Sequence, residues 1–290
     1  MSNIDWHAGF VSAMKLELMA NEKSLEFYEE QFLDTRKQRF DLLIIKKRRD
    51  IRIVNEIGAI FNKFNIIEYK NPNDILDIGE YYKVLSYTCR YLYERHDYDE
   101  YATDAYTMTL VRDTMPHKLF KQLPGAGVET EEIYPGIYEL SGRSPFKTQL
   151  IITSRLTDEG HAWLKGLTLN GTKEHVQGII DQIPGLDSKH KSLADTVMNV
   201  FTGANTPLMY RIKREDKDMC QAVNELFADE IAELKIELTR QIKINADSKA
   251  EAEKAKAEML AKAKAEVEAE AAKANVYRQQ LIEAGITPKD

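Results

Sequence analysis

Cysteine is nearly absent: Cys89 and Cys220 lie far apart, and neither has a C-x-x-C partner. That excludes a disulfide framework and a cysteine zinc site, and it fits a reducing cytoplasm. Long apolar runs are missing too. The longest aliphatic stretch is residues 42–45, far short of the ~20 needed to cross a bilayer. The start, MSNIDWHAGF, has neither a basic segment nor an apolar one, so secretion is not expected. Positive charge is in deficit, with 40 Lys and Arg against 47 Asp and Glu and a net charge of −7. A uniformly basic nucleic-acid coat is therefore excluded, and contact with a polyanion needs a local patch.

Familiar catalytic motifs are missing as well. The chain has no G-x-x-x-x-G-K-[ST] phosphate loop, no G-x-G-x-x-G after a strand and no G-x-S-x-G elbow. Its six histidines (His7, His96, His117, His161, His175 and His190) never fall at ligand spacing on one element. Ordinary hydrolase, kinase and dehydrogenase readings lose their support.

What is present is ample core-forming material: 43% of 290 residues are hydrophobic and 30% charged, which suits one or two globular domains and excludes general disorder. Residues 5–20 carry Phe10, Val11, Met14 and Leu18 at helical spacing. Strands are expected at 25–32, at 39–46 (RFDLLIIK) and at 65–70 (NIIEYK). Between the last two, Ile53, Ile57, Ile60, Phe61 and Phe64 read as a helix, with a strand near 51–54 as the alternative. A helix over 77–94, a strand over 106–112 and a short helix over 116–123 complete an α/β layered pattern. Two more strands are expected at 133–140 and 147–155, joined through SGRSP. Helices then follow at 159–167, 172–183, 192–201 and 216–244. Residues 245–274 are almost wholly Ala, Glu and Lys, the composition of a solvated helix.

The remaining chemistry lies in carboxylates on strands. Glu68 and Lys70 stand two apart on an extended segment, so both leave one face while Tyr69 leaves the other. Asp41 heads the apolar run 42–45, where a charge is costly unless it faces a cleft or an ion. Two carboxylates converging from neighbouring strands make an oxygen site for Mg²⁺, and a lysine beside them can hold water or neutralise a phosphoryl group. E-x-K also occurs at Glu215–Lys217 and Glu233–Lys235, but in helical context where i and i+2 diverge. Plainer readings stand beside this one. Asp41 caps a turn or pairs with Arg39, Glu68 and Lys70 form a surface pair, and Glu17 is a solvated helix residue.

With those residues in view, the order of helix, strand, Asp-bearing strand, Glu-x-Lys strand, helix and strand resembles the PD-(D/E)xK nuclease superfamily. FDLLIIKK, NIIEYKNP and DIGEYYKVLSY are similar to bacterial recombination-promoting nucleases and transposase-like proteins, and YRQQLIEAGITP is similar to their tails. The resemblance implies a restriction-endonuclease-like mixed sheet flanked by helices over residues 1–157. A helical region over 158–228 and a long C-terminal helix and tail over 229–290 are expected to follow. It implies Asp41, Glu68 and Lys70 as catalytic residues, and Glu17 (rather than Glu22), Asp41 and Glu68 as ligands of Mg²⁺, with Mn²⁺ as the substitute. Lys83 and Tyr87 match the spacing of the superfamily's Q-x-x-x-Y signature, with lysine in place of glutamine. Phe40 stands where the namesake proline falls, and 26 residues separate Asp41 from Glu68.

Nucleic-acid contacts are expected at Lys46, Lys47, Arg48 and Arg49, and at Lys83 and Tyr87; the same basic cluster also reads as a solvated turn. The expected function is a metal-dependent DNA endonuclease in the cytoplasm, linked to recombination or transposition. The alternative is a catalytically silent member of the fold that acts through its helical C-terminal region. There Ile231, Leu234, Leu238 and Ile242 form an apolar stripe suited to a homodimer.

Overall fold

Three segments are apolar and β-branched enough to be buried on both faces, which places them at the centre of a sheet. They are β3 (Phe64–Lys70), β4 (Tyr106–Arg112) and β7 (Lys147–Ile152). In the computed structural model, which describes residues 4–29, 42–48, 51–94, 103–216, 218, 219, 221, 223, 228–283 and 285, these strands run parallel side by side. Antiparallel strands extend the sheet on both sides. β1 (Leu25–Glu29) and β2 (Leu42–Lys47) lie beside β3, and β6 (Ile137–Gly142) and β5 (Val128–Tyr134) lie beside β7. The result is a seven-stranded mixed sheet of order β1-β2-β3-β4-β7-β6-β5.

Helices cover both faces. α1 (Trp6–Glu17) begins at Asp5, whose carboxylate accepts from the Ala8 N–H as an N-cap. Its Phe10 stacks on Tyr69 with ring centroids 4.5 Å apart, so α1 lies on the face carrying the odd-numbered residues of β3. α2 (Ile78–Glu94) covers the opposite face. Its Tyr81 and Val84 enter a core with Ile44, Phe64, Ile66, Tyr106, Met108 and Leu110, and Tyr87, Tyr91 and Leu92 pack against it. α3 (His117–Gln122) adds Leu119 to the same core.

The helix expected near 53–64 does not form. That connection is irregular apart from one 3-10 turn, Glu56–Gly58, yet Ile53, Ile57, Ile60 and Phe61 are all buried. Polar side chains hold it in place. Asn65 Nδ2 donates to the carbonyls of Ile45 and Asn62 at 2.8 Å, and its Oδ1 accepts from Asn62 N–H at 2.8 Å and Thr107 Oγ1 at 2.7 Å. Gln149 donates to the Ile57 carbonyl at 2.8 Å. Apolar residues three or four apart thus reach the core without helical geometry.

A second expectation is also corrected. Residues 133–140 are not one strand: they hold the end of β5, the turn at 135–136 and the start of β6. Gly136 has φ +76°, and a Cβ there would meet the Ile152 carbonyl oxygen at 2.8 Å, so the reversal needs glycine.

After β7, α4 (Ala162–Lys165), α5 (Lys173–Gln182), α6 (Ser188–Ala204) and α7 (Thr206–Glu215) belong to the same compact unit as the sheet, residues 1–226. The break expected around 203–207 is the junction of α6 and α7, and α7 itself was not expected. α6 packs on α1 so closely that a Cβ on Gly9 would meet Val200 Cγ2 at 2.8 Å.

The second unit, residues 227–290, contains α8 (Ala228–Glu283), a helix of 56 residues on which Met259, Leu260 and Val267 are exposed. The side chains of Ile231, Leu234, Leu238 and Ile242 lie outside those described. No described helix is long and apolar enough to cross a membrane.

Asn65 satisfies all four of its hydrogen-bonding positions inside the protein. Asn65→Ala strips partners from Thr107 and from the Ile45 and Asn62 backbone, and should lower the unfolding free energy by about 3 kcal/mol. Urea denaturation checks this, and a loss well under about 1 kcal/mol would show that the network is not a structural anchor.

Candidate active site

Glu68 is the fifth residue of β3 and follows four buried apolar or amide side chains, yet this carboxylate is only 4% exposed. A buried charge persists only where opposite charge and hydrogen bonds replace water. Two lysines do so. Lys70 Nζ lies 3.0 Å and Lys83 Nζ 3.2 Å from the same oxygen, Glu68 Oε1.

α2 completes the cluster. Asp77 precedes this helix, its carboxylate accepting from Gly79 N–H at 3.0 Å and its carbonyl from Tyr81 N–H at 3.1 Å. That start places Glu80 and Lys83 on one helical face, three residues apart, over the end of β3. Glu80 Oε2 lies 2.6 Å from Lys70 Nζ and 3.3 Å from Lys83 Nζ. Two carboxylates and two ammonium groups form a closed, neutral square. Side-chain exposure rises from 5% at Glu68 and 11% at Lys70 to 27% at Glu80 and 37% at Lys83, so the cluster opens to solvent along α2.

The charges tune one another. At Glu80 burial acts to raise the pKa, but Lys70 and Lys83 together outweigh it and hold the carboxyl below its ordinary range. At Lys83 burial acts downward, and Glu68 and Glu80 outweigh it, so the ammonium is held more firmly. Lys83 also lies 5.6 Å over the Tyr87 ring. Burial, then Glu68 and Glu80, push the Tyr87 phenol up to about 12.

Of the residues expected to act together, the structure gathers Glu68, Lys70, Lys83 and Tyr87. Asp41 lies outside the described residues; Leu42, which follows it, is the cross-strand partner of Glu68. The basic turn is elsewhere. Lys46 pairs with Phe64 at the other end of the ladder, four residues or roughly 13 Å from Glu68. Lys47 donates to the carbonyls of Ile51 and Phe61 at 3.3 and 3.1 Å, and Arg48 pairs with Glu26. Arg49 is outside the described residues.

Glu17 is not brought to Glu68. It belongs to α1, on the opposite face of the sheet, in a buried cluster of its own. Its Oε2 accepts from Asn55 Nδ2 at 3.0 Å and lies 3.2 Å from His161 Nδ1, and its Oε1 accepts from Leu164 N–H at 3.2 Å. His161 Nε2 is 3.5 Å from Glu56 Oε2, which carries the cluster outward to a half-exposed side chain. Both oxygens are therefore committed to bracing α1 against the 51–63 connection and α4. Among the described residues no group of three or more His, Cys, Asp or Glu is placed to hold a metal ion.

Two participants were not singled out from sequence. Glu80 carries a signal in retrospect, an acidic residue in the first turn of α2 three before Lys83, but glutamates there ordinarily serve the helix dipole. His161 approaches Glu17 across 144 residues of chain, which no local pattern encodes.

The Glu17 cluster generates a pH prediction. Burial raises the Glu17 pKa despite His161, the Leu164 N–H and Asn55, so the folded carboxyl binds its proton more tightly than the unfolded one. That contribution favours the fold below the ordinary glutamate range and is lost as pH rises through the raised value. The stability of wild type relative to Glu17→Gln should fall with rising pH and then level off. Melting curves from about pH 4 to about pH 8 test this, and a pH-independent difference would contradict it.

Compared with protein-family models, curated proteins and solved structures, the chain matches none.

Proposed function

We propose that this chain is a metal-dependent nuclease that hydrolyses phosphodiester bonds, a DNA endonuclease of the PD-(D/E)xK type linked to recombination or transposition. The observation that carries this reading is the placement of Glu68 and Lys70. They leave one face at the C-terminal end of a central parallel strand, 3.0 Å apart, beside the end of β2 that follows Asp41. The C-terminal ends of parallel strands are where open α/β sheets bind ligands.

The donor set suits a hard divalent cation. Glu68 Oε1 and Glu80 Oε2 both touch one ammonium group, within 3.0 Å, so a single compact cation already bridges these two oxygens. Glu68 and, by resemblance, Asp41 would hold Mg²⁺ or Mn²⁺, and Glu80 is a closer third carboxylate than Glu17. When bound, such an ion would supply Lewis acidity and lower the pKa of water. Lys70 orients the attacking water and stabilises charge that develops on the phosphoryl oxygens. Glu80 keeps Lys70 at the site, and Lys83 presents a second ammonium to the phosphate backbone from the more exposed side.

One observation favours a second reading. Both carboxylates are already neutralised by lysines, which is also what a silent fold would keep for stability alone. In that reading the protein acts as a homodimer or interaction module through its C-terminal helices, where α8 exposes Met259, Leu260 and Val267.

Plasmid nicking separates the two. With Mg²⁺ or Mn²⁺ the wild type should convert supercoiled DNA to open circles, and Lys70→Ala or Glu68→Ala should slow this about 10²–10³-fold. Equal cutting by wild type and both variants would discard the assignment. No cutting, together with self-association that disappears on removing the residues after 228, would favour the module.

A further inference from the structure

The α2 face of the sheet is covered unevenly. α2 packs against β3 and β4. The outer strands β1 and β2 present cross-strand rows on that face: Glu26, Lys46 and Phe64, then Tyr28, Ile44 and Ile66, then the Leu42 position beside Glu68. Ile44 is 1% exposed in the middle of the strip, whereas Tyr28 at its edge is 39% exposed. The rows advance two residues at a time, so from Phe64 to Lys70 the strip runs roughly 20 Å and ends in the candidate active site.

Its chemistry alternates ammonium groups with rings. Lys46 and Lys63 lie 6.0 and 5.7 Å from the centre of the Phe64 ring. Lys83 lies over Tyr87, and next to it on α2 Tyr82 is half exposed. Tyr28 donates its hydroxyl to Glu26, which also pairs with Arg48, so the ring is held by its polar end. Among the described residues, Lys46, Arg48, Lys63, Lys70 and Lys83 stand against Glu26, Glu68 and Glu80, on a chain of net charge −7.

Cations beside the exposed rings of Tyr28 and Tyr82 suit a polyanion with free π-faces. In a duplex those faces are hidden by stacking, and a protein reads only the backbone and groove edges. We propose that this strip seats an unpaired nucleic-acid strand, with a base on Tyr28 and the backbone led by Lys46, Lys63 and Lys83 toward Glu68 and Lys70. The inference rests on the nuclease reading and adds the state of the substrate: single-stranded or locally unpaired.

The test is fluorescence anisotropy with the full chain in EDTA. The probes are a labelled oligodeoxynucleotide, its duplex and the RNA of the same sequence. The single strand should bind at least about tenfold tighter than the duplex at equal salt. Tyr28→Leu should weaken strand binding about tenfold, and Tyr28→Phe, which keeps the ring, should bind as wild type. Unchanged melting temperatures verify that both variants are folded, and strand-selective binding of either sugar supports the proposal. Duplex binding as tight as strand binding, or equal losses in the Leu and Phe variants, would overturn it while leaving the nuclease reading in place. Binding to none of the three probes, with no plasmid nicking, would overturn both.

Discussion

Glu68 is a carboxylate on an inner strand, removed from water and flanked by Ile67 and Tyr69. Its charge is tolerable only because two lysine ammonium groups reach the same oxygen, one from its own strand and one from α2. Much of the local architecture follows from that requirement. Lys70 must share the strand face, which the two-residue period of β3 ensures. Lys83 must arrive from above, which fixes the rotation of α2 and brings Glu80 with it. Tyr81 and Val84 then bury the rest of the helix in the same core, so a polar demand and an apolar one agree on one orientation.

The sheet also keeps its two polar systems apart. On the α2 face the charges sit at a strand end and open toward solvent. On the α1 face the polar groups are amides and hydroxyls (Asn65, Thr107, Thr109 and Gln149), hydrogen-bonded within the interior and to the 51–63 connection. Glu17 belongs to this second system. Its neighbours are one histidine, one amide and one helix N–H, and burial favours its protonated form. A carboxyl that gains a proton through burial is a poor competitor for a divalent ion. Glu80, held ionised by two lysines, has the opposite electrostatic character.

Sequence made one part of the site legible because a strand is a local object. The alternation of Glu68, Tyr69 and Lys70 decides their faces without knowledge of anything else, and the structure keeps Tyr69 against Phe10 on the other side. Helix faces are less local. Glu17 lies within KLEL on a helix whose buried side depends on Val200, His161 and Leu164, all far along the chain. The 51–63 connection misled for a related reason. Its apolar residues recur every three or four positions, but Asn65 and Gln149 capture the backbone groups a helix would have used. β5 was hidden because a strand at the sheet edge, with only Val128 buried, has no alternation of apolar and polar residues to reveal it. Its glutamates suit an edge, where like charges discourage pairing with another chain.

The closed square of Glu68, Lys70, Glu80 and Lys83 has a consequence for how such a site would be loaded. As it stands the cluster is neutral, so neither a cation nor a phosphate is drawn strongly to it alone. A divalent ion at Glu68 must displace at least one ammonium group, and a phosphate must draw one away from its carboxylate. Taken together, the two exchanges would be complementary: the ion would take over carboxylates as the phosphate took over a lysine. In the nuclease reading each ligand would thus free a partner for the other, which is coupling between two ligands through shared counter-charges. The more exposed Lys83 has the shorter way to move, and Lys70, more deeply buried and tied to Glu80, is the ammonium group held beside Glu68.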